Sequence, residues 1–278
     1  MTQFEQVSMR CSRMATQRYS TSFTLGIKSL AKRFRNPVYA IYGFVRFADE
    51  IVDTFNRKDN AELLAEFRKD TFQAIERGIS LNPILNSFQK VVNDYSIDHE
   101  LIETFLDSME MDLKDLKYSQ QLYEQYILGS AEVVGLMCLR VFTEGDRETY
   151  DKLKHNAMKL GSAFQKINFL RDLRSDYREL GRVYFPHLNM SEFDEANKKA
   201  IEADIQADFS LGFQGIKQLP KSARFGVYVA YVYYYALFKK ISSLPPARIL
   251  EERIRIPNSK KYSLILSSYV RHSLNMIK

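Results

Sequence analysis

The sequence is poor in the residues that build zinc sites and disulfide frameworks. It has two cysteines, Cys11 and Cys138, which stand far apart and form no CxxC pair. Its four histidines occupy isolated positions, at His99, His155, His187 and His272. Zinc sites and disulfide frameworks need such ligands in pairs or sets at defined spacing. Neither feature is indicated, and the cysteine usage is typical of a cytosolic protein.

Segments that would direct the chain to a membrane or anchor it there are also missing. The apolar run from 227 to 238 has twelve residues, whereas a membrane-spanning helix needs about 20. The first residues contain no apolar signal segment. We therefore expect a cytoplasmic protein whose membrane contact, where there is any, is peripheral and at the inner face.

Patterns of a β-sheet or of a nucleotide-binding fold are absent from the sequence. It has no alternation of apolar and polar residues typical of strands, no Gly-rich phosphate loop and no dinucleotide-binding motif. It also has no linker rich in Pro, Gly or Ser. Apolar residues recur instead at helical spacing, so the sequence predicts a single all-α domain over residues 1–278.

Proline, glycine and capping residues mark the ends of the predicted helices. Asn36 and Pro37 are expected to begin the second helix, and Gly78 and Gly181 to end two later ones. Residues 19–26 are interpreted as a helix end or short irregular segment, and the acids at 110–115 mainly as a solvated face. The predicted helices are 3–18, 37–53, 60–78, 83–95, 98–114, 119–142, 146–180, 191–218, 221–243, 246–253 and 260–276.

The chain is basic, with 40 Lys and Arg against 34 Asp and Glu and a formal net charge of +6. Such an excess suits nucleic acid, an anionic membrane surface or a polyphosphate substrate. The basic residues are scattered, with only short runs such as Lys32-Arg33. We therefore expect no nucleic-acid partner.

Two predicted helices each carry a row of polar residues on one face. On the later helix the row has intervals of three, four, four and three residues: Gln165, Asn168, Asp172, Asp176 and Glu179. On the earlier helix the intervals are three, four, three and four: Tyr39, Tyr42, Arg46, Asp49 and Asp53. Residues at these spacings share one helix face. A lone acid pair on a helix is usually a surface feature, but the earlier helix is apolar almost all round, and buried carboxylates need counter-charges.

Oxygen ligands on two facing helices are suited to Mg²⁺, which completes its coordination shell with water and substrate phosphates. Arg46, Arg171 and Arg182 lie close to the two rows and can donate to phosphate oxygens in pairs. The sequence also contains 36 Phe and Tyr residues and no Trp. An apolar, aromatic cavity would stabilise the carbocation left by a departing diphosphate. This combination predicts prenyl transfer or terpene cyclisation.

These motifs resemble those of the squalene and phytoene synthase family of head-to-head prenyl transferases. The likeness lies mainly in residues 39–53 and 161–186, includes segments 20–23 and 126–135, and extends over essentially the whole chain. It implies an all-α isoprenoid synthase fold around a central cavity and a Mg²⁺-dependent reaction, with Mn²⁺ as an alternative ion. The substrates would be two allylic prenyl diphosphates, joined through a cyclopropyl diphosphate. One departure is Glu50, where some relatives have a second adjacent aspartate.

The same resemblance implies roles for the residues at the matching positions of this sequence. The implied metal ligands are Asp49, Asp53, Asn168, Asp172 and Asp176. The implied contacts of the diphosphate and the reacting centre are Ser20, Tyr42, Arg46, Tyr126, Gln165, Arg171, Arg182 and Tyr184. Cavity depth, and with it product length, would depend on Phe23, Ile27, Val134 and Leu136.

The sequences of these motifs are more similar to those of the family branch that joins two geranylgeranyl diphosphates into forty-carbon phytoene. The chain also ends at Lys278 without the apolar anchor of many squalene synthases. The first alternative is a thirty-carbon enzyme that uses farnesyl diphosphate, and the reductive form of that reaction needs a nicotinamide cofactor. An alternative of another class is a catalytically silent helical scaffold, although such a protein would be expected to lose its acidic rows. Oligomeric state does not follow from the sequence.

Overall fold

The computed structural model describes residues 1–55, 58–114, 116–186, 188, 193–274 and 277, and only the backbone of residues 179, 180, 258 and 262. Within this part of the chain the secondary structure is helical, without a β-strand. The helices are α1 (Gln3–Tyr19), α2 (Thr21–Ser29), α3 (Lys32–Asp53), α4 (Asn60–Arg77), α5 (Pro83–Tyr95), α6 (His99–Asp112), α7 (Gln120–Ile127), α8 (Val133–Thr143), α9 (Arg147–Leu180), α10 (Glu195–Gln218), α11 (Lys221–Ser242), α12 (Pro246–Glu251) and α13 (Asn258–Ser273). The all-α prediction is confirmed.

The longest helix, α9, begins and ends where its capping residues predict. The Asp146 carboxylate accepts a hydrogen bond from the Thr149 backbone N–H at 3.1 Å and so satisfies one free donor of the first turn. At the other end Gly181 adopts a left-handed conformation with φ of 68°, which glycine adopts without steric cost. These two residues confine the second acidic row to one continuous helix.

Two predictions near the N-terminus are wrong in detail. Helix α1 ends at Tyr19, as one of the two alternatives for residues 19–26 predicts, but the segment that follows is not irregular: it forms α2, because the Ser20 hydroxyl caps it by accepting from the Phe23 backbone N–H at 3.2 Å. Helix α3 begins at Lys32, five residues before Pro37, which lies inside the helix. A proline in the second turn removes one backbone bond. The predicted start of α10 at about 191 lies outside the described residues.

A π-helical turn, Leu128–Glu132, separates α7 from α8 in the stretch predicted as one long helix. Gly129 lies against α6 in this turn, and an added Cβ there would come within 2.5 Å of the Thr104 carbonyl oxygen. The close approach therefore requires glycine at this position. Turns of this type insert one extra residue and redirect the side chains around them.

Helix α9 is the central element of the packing. It contacts α7, α8, α10, α11, α12 and the π-helical turn, whereas α3 packs against α1, α5 and α8. Gly161 lets α9 cross the π-helical turn closely, since a Cβ there would lie 2.6 Å from the Ala131 carbonyl oxygen. One stretch, Gln120–Thr143, is long and apolar enough to cross a membrane, but most of it is buried in the core. Core packing accounts for its apolar character.

Candidate active site

A cavity of about 490 Å³ lies between α3 and α9, and the side chains on its wall come from distant parts of the sequence. All thirteen residues predicted for the site line it: Ser20, Tyr42, Arg46, Asp49, Asp53, Tyr126, Gln165, Asn168, Arg171, Asp172, Asp176, Arg182 and Tyr184. Apart from Tyr39, which is buried in the core, the members of the two rows whose side chains the structure describes therefore face one space, as their helical spacing predicts. The side chain of Glu179 lies outside the described part of the structure.

On the α3 wall, one arginine is held between two carboxylates. Arg46 forms a short ion pair with Glu50 and lies 3.6 Å from Asp49. Its guanidinium group also stacks over the Tyr19 ring at 4.3 Å. Glu50 therefore orients Arg46 and, unlike Asp49, does not line the cavity.

On the α9 wall, Asp172 is bracketed by two arginines. Arg171 donates to it through two guanidinium nitrogens, and Arg253 Nε approaches its other side at 2.6 Å. Asp176, one turn later, has no ion-pair or hydrogen-bond partner for its carboxylate among the described residues. The Asn168 amide oxygen is buried without a hydrogen-bond partner of acceptable geometry. This wall thus presents both paired and unpaired oxygen ligands.

A third group of polar residues closes the side of the cavity next to the 182–186 segment. Arg182 donates to Asp53 at 2.9 Å and to the Asp112 backbone oxygen at 2.7 Å. The Tyr126 and Tyr184 hydroxyls donate to the Asp112 carboxylate at 2.6 and 3.0 Å. The predicted solvated face at 110–115 is therefore wrong for Asp112, which is buried. It lies on the inward side of α6, where an arginine and two tyrosines satisfy it.

Burial and like charges oppose ionisation of the acids in this cavity. Burial raises the pKa of Asp49 to about 7, against the attraction of Arg46, and Asp53 adds to the rise. Burial together with Asp172 and Asp53 raises the pKa of Asp176 to about 7. Burial also raises the pKa of Asp112 to about 6, although Arg182 and the Tyr126 hydroxyl oppose the change. The cavity therefore favours cations that would relieve this repulsion.

The donors in the cavity suit a hard divalent cation. The described residues contain no three His, Cys, Asp or Glu side chains already gathered around one point. The available donors are nevertheless oxygens, and they include the unpartnered Asn168 amide oxygen and the free Asp176 carboxylate. Two facing carboxylate rows with separate unpaired oxygens fit Mg²⁺ that is shared with a phosphate ligand.

Four aromatic rings stand where the polar cavity meets a second, apolar one. Phe23 lies 4.5 Å from Tyr42 and 5.7 Å from Tyr234, and Phe164 stacks on Tyr234 at 4.1 Å between ring centroids. Phe23, Tyr42 and Phe164 line both cavities. A positive charge formed at this junction would face several aromatic rings.

The apolar chamber beside these rings has a volume of about 120 Å³, and the large side chains that line it include Phe142, Leu153 and Leu219. Phe23 and Ile27 line it, and Val134 lines the polar cavity, as expected for residues that set cavity depth. The expectation for Leu136 is wrong, since it is buried in the core and lines neither cavity. It lies on the other side of α8 from Val134 and Cys138, two residues away from each.

Several residues of the site, Phe164 among them, were not predicted from the sequence. Asp112 and Tyr234 lie on predicted helices, but their apolar or acidic neighbours hid them. Arg253 follows a short helix with no recognisable motif. Ser130 lines the cavity from the π-helical turn, and its hydroxyl is buried without a partner. Of these, only Asp112 had a usable signal, since it stands in the apolar context Met111 to Leu113.

Glu132 does not join this site. It lines a different cavity on the other side of α9, where Lys159 lies 3.9 Å away. Lys159 also lies 3.6 Å from Asp208, which in turn accepts from Ser162 and Lys166. The partner that this buried acid requires is therefore supplied by α9, and its charge is balanced away from the acidic rows.

Comparison with known proteins identifies the same segments. The sequence profile of the squalene/phytoene synthase family matches residues 16–260. Phytoene synthase 1, chloroplastic, from Solanum lycopersicum is 21% identical over 94% of this chain and 67% of its own length. The 4,4'-diapophytoene synthase of Staphylococcus haemolyticus is 27% identical over 68% of this chain and 66% of its own length. The matches thus span about two thirds of these relatives.

Solved structures share the fold. A dehydrosqualene synthase crystallised in complex with a ligand superposes with a TM-score of 0.80, at 21% identity, over 96% of each chain. The arrangement of helices around a central cavity is therefore that of the isoprenoid synthase fold.

Proposed function

The chain belongs to the squalene/phytoene synthase family, and on this premise we propose that it joins two molecules of geranylgeranyl diphosphate head to head to give phytoene. Members of the family are prenyltransferases that act on prenyl diphosphates. The proposed reaction belongs to carotenoid biosynthesis, and we propose that residues 1–278 carry it out as one domain.

The observation that carries the proposal is the position of the two acidic rows. They face each other across one cavity, and that cavity shares lining residues, which include Phe23, Tyr42 and Phe164, with an apolar chamber. A diphosphate needs cationic and metal contacts, whereas its prenyl tail needs an apolar, water-free space. The two joined cavities offer both environments in the order in which the substrate would present its head and tail.

The chain's own residues would bind and orient the leaving group. Arg46, Arg171 and Arg182 border the cavity and are now paired with carboxylates. A diphosphate would compete with those carboxylates for the same guanidinium groups, because bidentate contacts to phosphate and to carboxylate have similar geometry. Tyr184, held by Asp112, would add a hydroxyl donor.

Asp49 and Asp53 on α3, and Asn168, Asp172 and Asp176 on α9, would hold Mg²⁺. When bound, Mg²⁺ neutralises the developing charge of a departing diphosphate. Because burial and like charges raise the pKa of Asp49 and Asp176, both carboxylates would ionise more readily beside such a cation. Binding of Mg²⁺ would therefore relieve the repulsion between these carboxylates in the metal-free protein.

The covalent chemistry balances without an added reductant. The first substrate loses diphosphate at C1, and the 2,3 double bond of the second attacks the cation. Loss of one proton closes a cyclopropyl diphosphate. A second ionisation, rearrangement and proton loss then give the hydrocarbon, with two diphosphates and two protons released. Phe23, Tyr42, Phe164 and Tyr234 would face the cationic carbons at the cavity junction.

A thirty-carbon reaction on farnesyl diphosphate is the second candidate. A diapophytoene synthase is among the relatives, and the chamber of about 120 Å³ is lined by bulky side chains. The reductive version of this reaction would also consume NADPH. A catalytically silent scaffold is a candidate of another class, and the intact acidic rows argue against it.

The test is to incubate the purified protein with Mg²⁺ and either geranylgeranyl or farnesyl diphosphate, with and without NADPH, and to identify the hydrocarbons by mass spectrometry. Phytoene from the longer substrate without NADPH is the expected result. A thirty-carbon product would retain the site chemistry and refute the proposed chain length. Absence of pyrophosphate release from both substrates would refute the enzymatic proposal.

The product is a hydrocarbon that water does not dissolve. We therefore propose that the chain is cytoplasmic and works in peripheral contact with the membrane, where the product would partition.

A further inference from the structure

One strongly basic segment of this protein lies at its C-terminal end. From Arg253 to Lys278 the chain has six Lys and Arg residues and no Asp or Glu. Because the whole chain has a formal charge of +6, residues 1–252 contain equal numbers of acidic and basic residues. Residues 1–35 have a similar excess, with seven Lys and Arg against one Glu, so the C-terminal segment is distinguished by having no acidic residue.

Helix α13 lies in this basic segment and exposes an apolar face. Leu266, Tyr269, Val270 and Leu274 have 66, 57, 47 and 65% of their surface exposed. They recur at intervals of three, one and four residues, so they form a stripe along one side of the helix. Ser268 is buried on the opposite side. The stripe faces solvent because the other side of α13 packs on α11.

Basic groups flank the stripe on one side. Lys260 and Arg271 are exposed and lie on the same side of the helix, about 105° and about 125° from the centre of the stripe. On the inner side, burial and the nearby Arg224 and Lys221 of α11 lower the pKa of His272. Burial and Arg255 likewise lower the pKa of Lys261. The groups that α11 and the 253–257 segment place beside α13 are therefore cationic as well.

The helix lies against the outside of the apolar chamber. The Phe225 ring of α11 is 6.0 Å from Tyr269 and 5.1 Å from His272. The residues that follow Phe225, Gly226 and Val227, line the chamber. At the other end of α13, Lys261 donates to the Thr21 hydroxyl at 2.8 Å, on the helix that carries Phe23. A ligand in the chamber is thus separated from the stripe by one layer of helices.

We propose that the exposed face of α13 docks on anionic phospholipid bilayers. An apolar stripe with flanking Lys and Arg lies in the plane of a membrane surface, with the apolar side chains among the acyl chains and the cations at the headgroups. The inference extends the proposed function, since it names the surface through which a hydrocarbon product would reach the bilayer.

The test is sedimentation of the full-length chain with vesicles of phosphatidylcholine alone or mixed with phosphatidylglycerol. The protein is expected to sediment with the anionic vesicles and to stay in solution with the neutral ones. Each Lys or Arg at a membrane surface changes binding about fivefold, so Lys260→Gln with Arg271→Gln should weaken it about 25-fold. Leu266→Gln with Leu274→Gln should weaken it at least tenfold.

Matched controls change the same residue types elsewhere. Lys69→Gln with Lys199→Gln removes two exposed cations, and Val7→Gln with Leu81→Gln removes two exposed apolar side chains. These variants should sediment like the unmodified chain. Equal losses in the controls, or equal binding to neutral vesicles, would overturn the inference. So would α13 variants that dissociate a dimer and leave sedimentation unchanged, since a second copy would then cover the stripe.

A separate measurement distinguishes docking from catalysis. Pyrophosphate release from detergent-dispersed substrate, without vesicles, should be the same in the α13 variants and the unmodified chain. A chain that releases no pyrophosphate but sediments in the expected pattern would refute the proposed function and support docking. A chain that is active but fails to sediment with anionic vesicles would refute docking and support the proposed function.

Discussion

Replacing the buried Asp112 by Asn is expected to stabilise the metal-free protein at neutral pH. Asp112 accepts from the Tyr126 and Tyr184 hydroxyls, and Arg182 lies 3.6 Å away. Burial nevertheless outweighs these contacts and raises its pKa from 3.8 to about 6. Ionised Asp112 is therefore a cost to the folded state. Asn has the shape of the neutral acid and avoids that cost.

The magnitude follows from the pKa. Since the folded pKa is higher than the unfolded one, Asp112 contributes most to stability below pH ~4, and this contribution is lost as pH rises through about 6. A rise from 3.8 to about 6 corresponds to about 3 kcal/mol. About half of that loss is present at pH 5, and all of it at pH 7.5. The advantage of Asp112→Asn should therefore grow by about 1.4 kcal/mol between these two pH values.

Urea unfolding in EDTA at pH 5 and pH 7.5, followed by circular dichroism, measures this difference. Asp107→Asn on the same helix is the matched control, because Asp107 is exposed and pairs with Arg68 at 2.8 Å. An exposed ion pair contributes about 0–1 kcal/mol, and its loss should not produce a gain that grows with pH. A variant at position 112 that is less stable than the unmodified chain at both pH values would refute the reasoning.

Three further results are expected. Asp172→Asn should lower turnover at least 100-fold with unchanged circular dichroism, because it removes one implied metal ligand and little volume; near-normal turnover would contradict the assigned role. Cys138→Phe should fill part of the apolar chamber that Cys138 lines, and kcat/KM for geranylgeranyl relative to farnesyl diphosphate should fall at least tenfold, whereas Cys138→Ser should leave that ratio unchanged. Gly161→Ala places a Cβ 2.6 Å from the Ala131 carbonyl oxygen and should cost about 1–3 kcal/mol in urea unfolding; an unchanged midpoint would mean that the helices separate freely.

The arginines of the site illustrate why the metal-free and loaded states should differ. Arg253 reaches Asp172 from a segment far along the chain, and Arg182 reaches Asp53 across the cavity. Each pair satisfies a carboxylate that the proposed reaction assigns to metal. Cations and diphosphate would therefore exchange partners with existing ion pairs when they enter, and the net charge of the site would change little.

Much of the fold and the site was predictable from local sequence patterns. Helical periodicity predicts α3 and α9, and Asp146 and Gly181 predict the ends of α9. The intervals between polar residues place Asp49 and Asp53 on one face of α3, because a helix brings residues three and four apart to the same side. The all-α class and the grouping of polar residues on one face of each helix depend on these short-range rules, so the sequence by itself determined them.

Contacts between distant segments were decided only by tertiary structure. The burial of Asp112 depends on Tyr184 and Arg182, about 70 residues later, and no local pattern encodes that meeting. The π-helical turn arises where Gly129 packs against α6, and the pairing of Arg253 with Asp172 needs α12 to lie against α9. Local spacing specifies which side of a helix a residue occupies. Packing of whole helices decides what that side meets, and it sets the pKa values and the cavity shape.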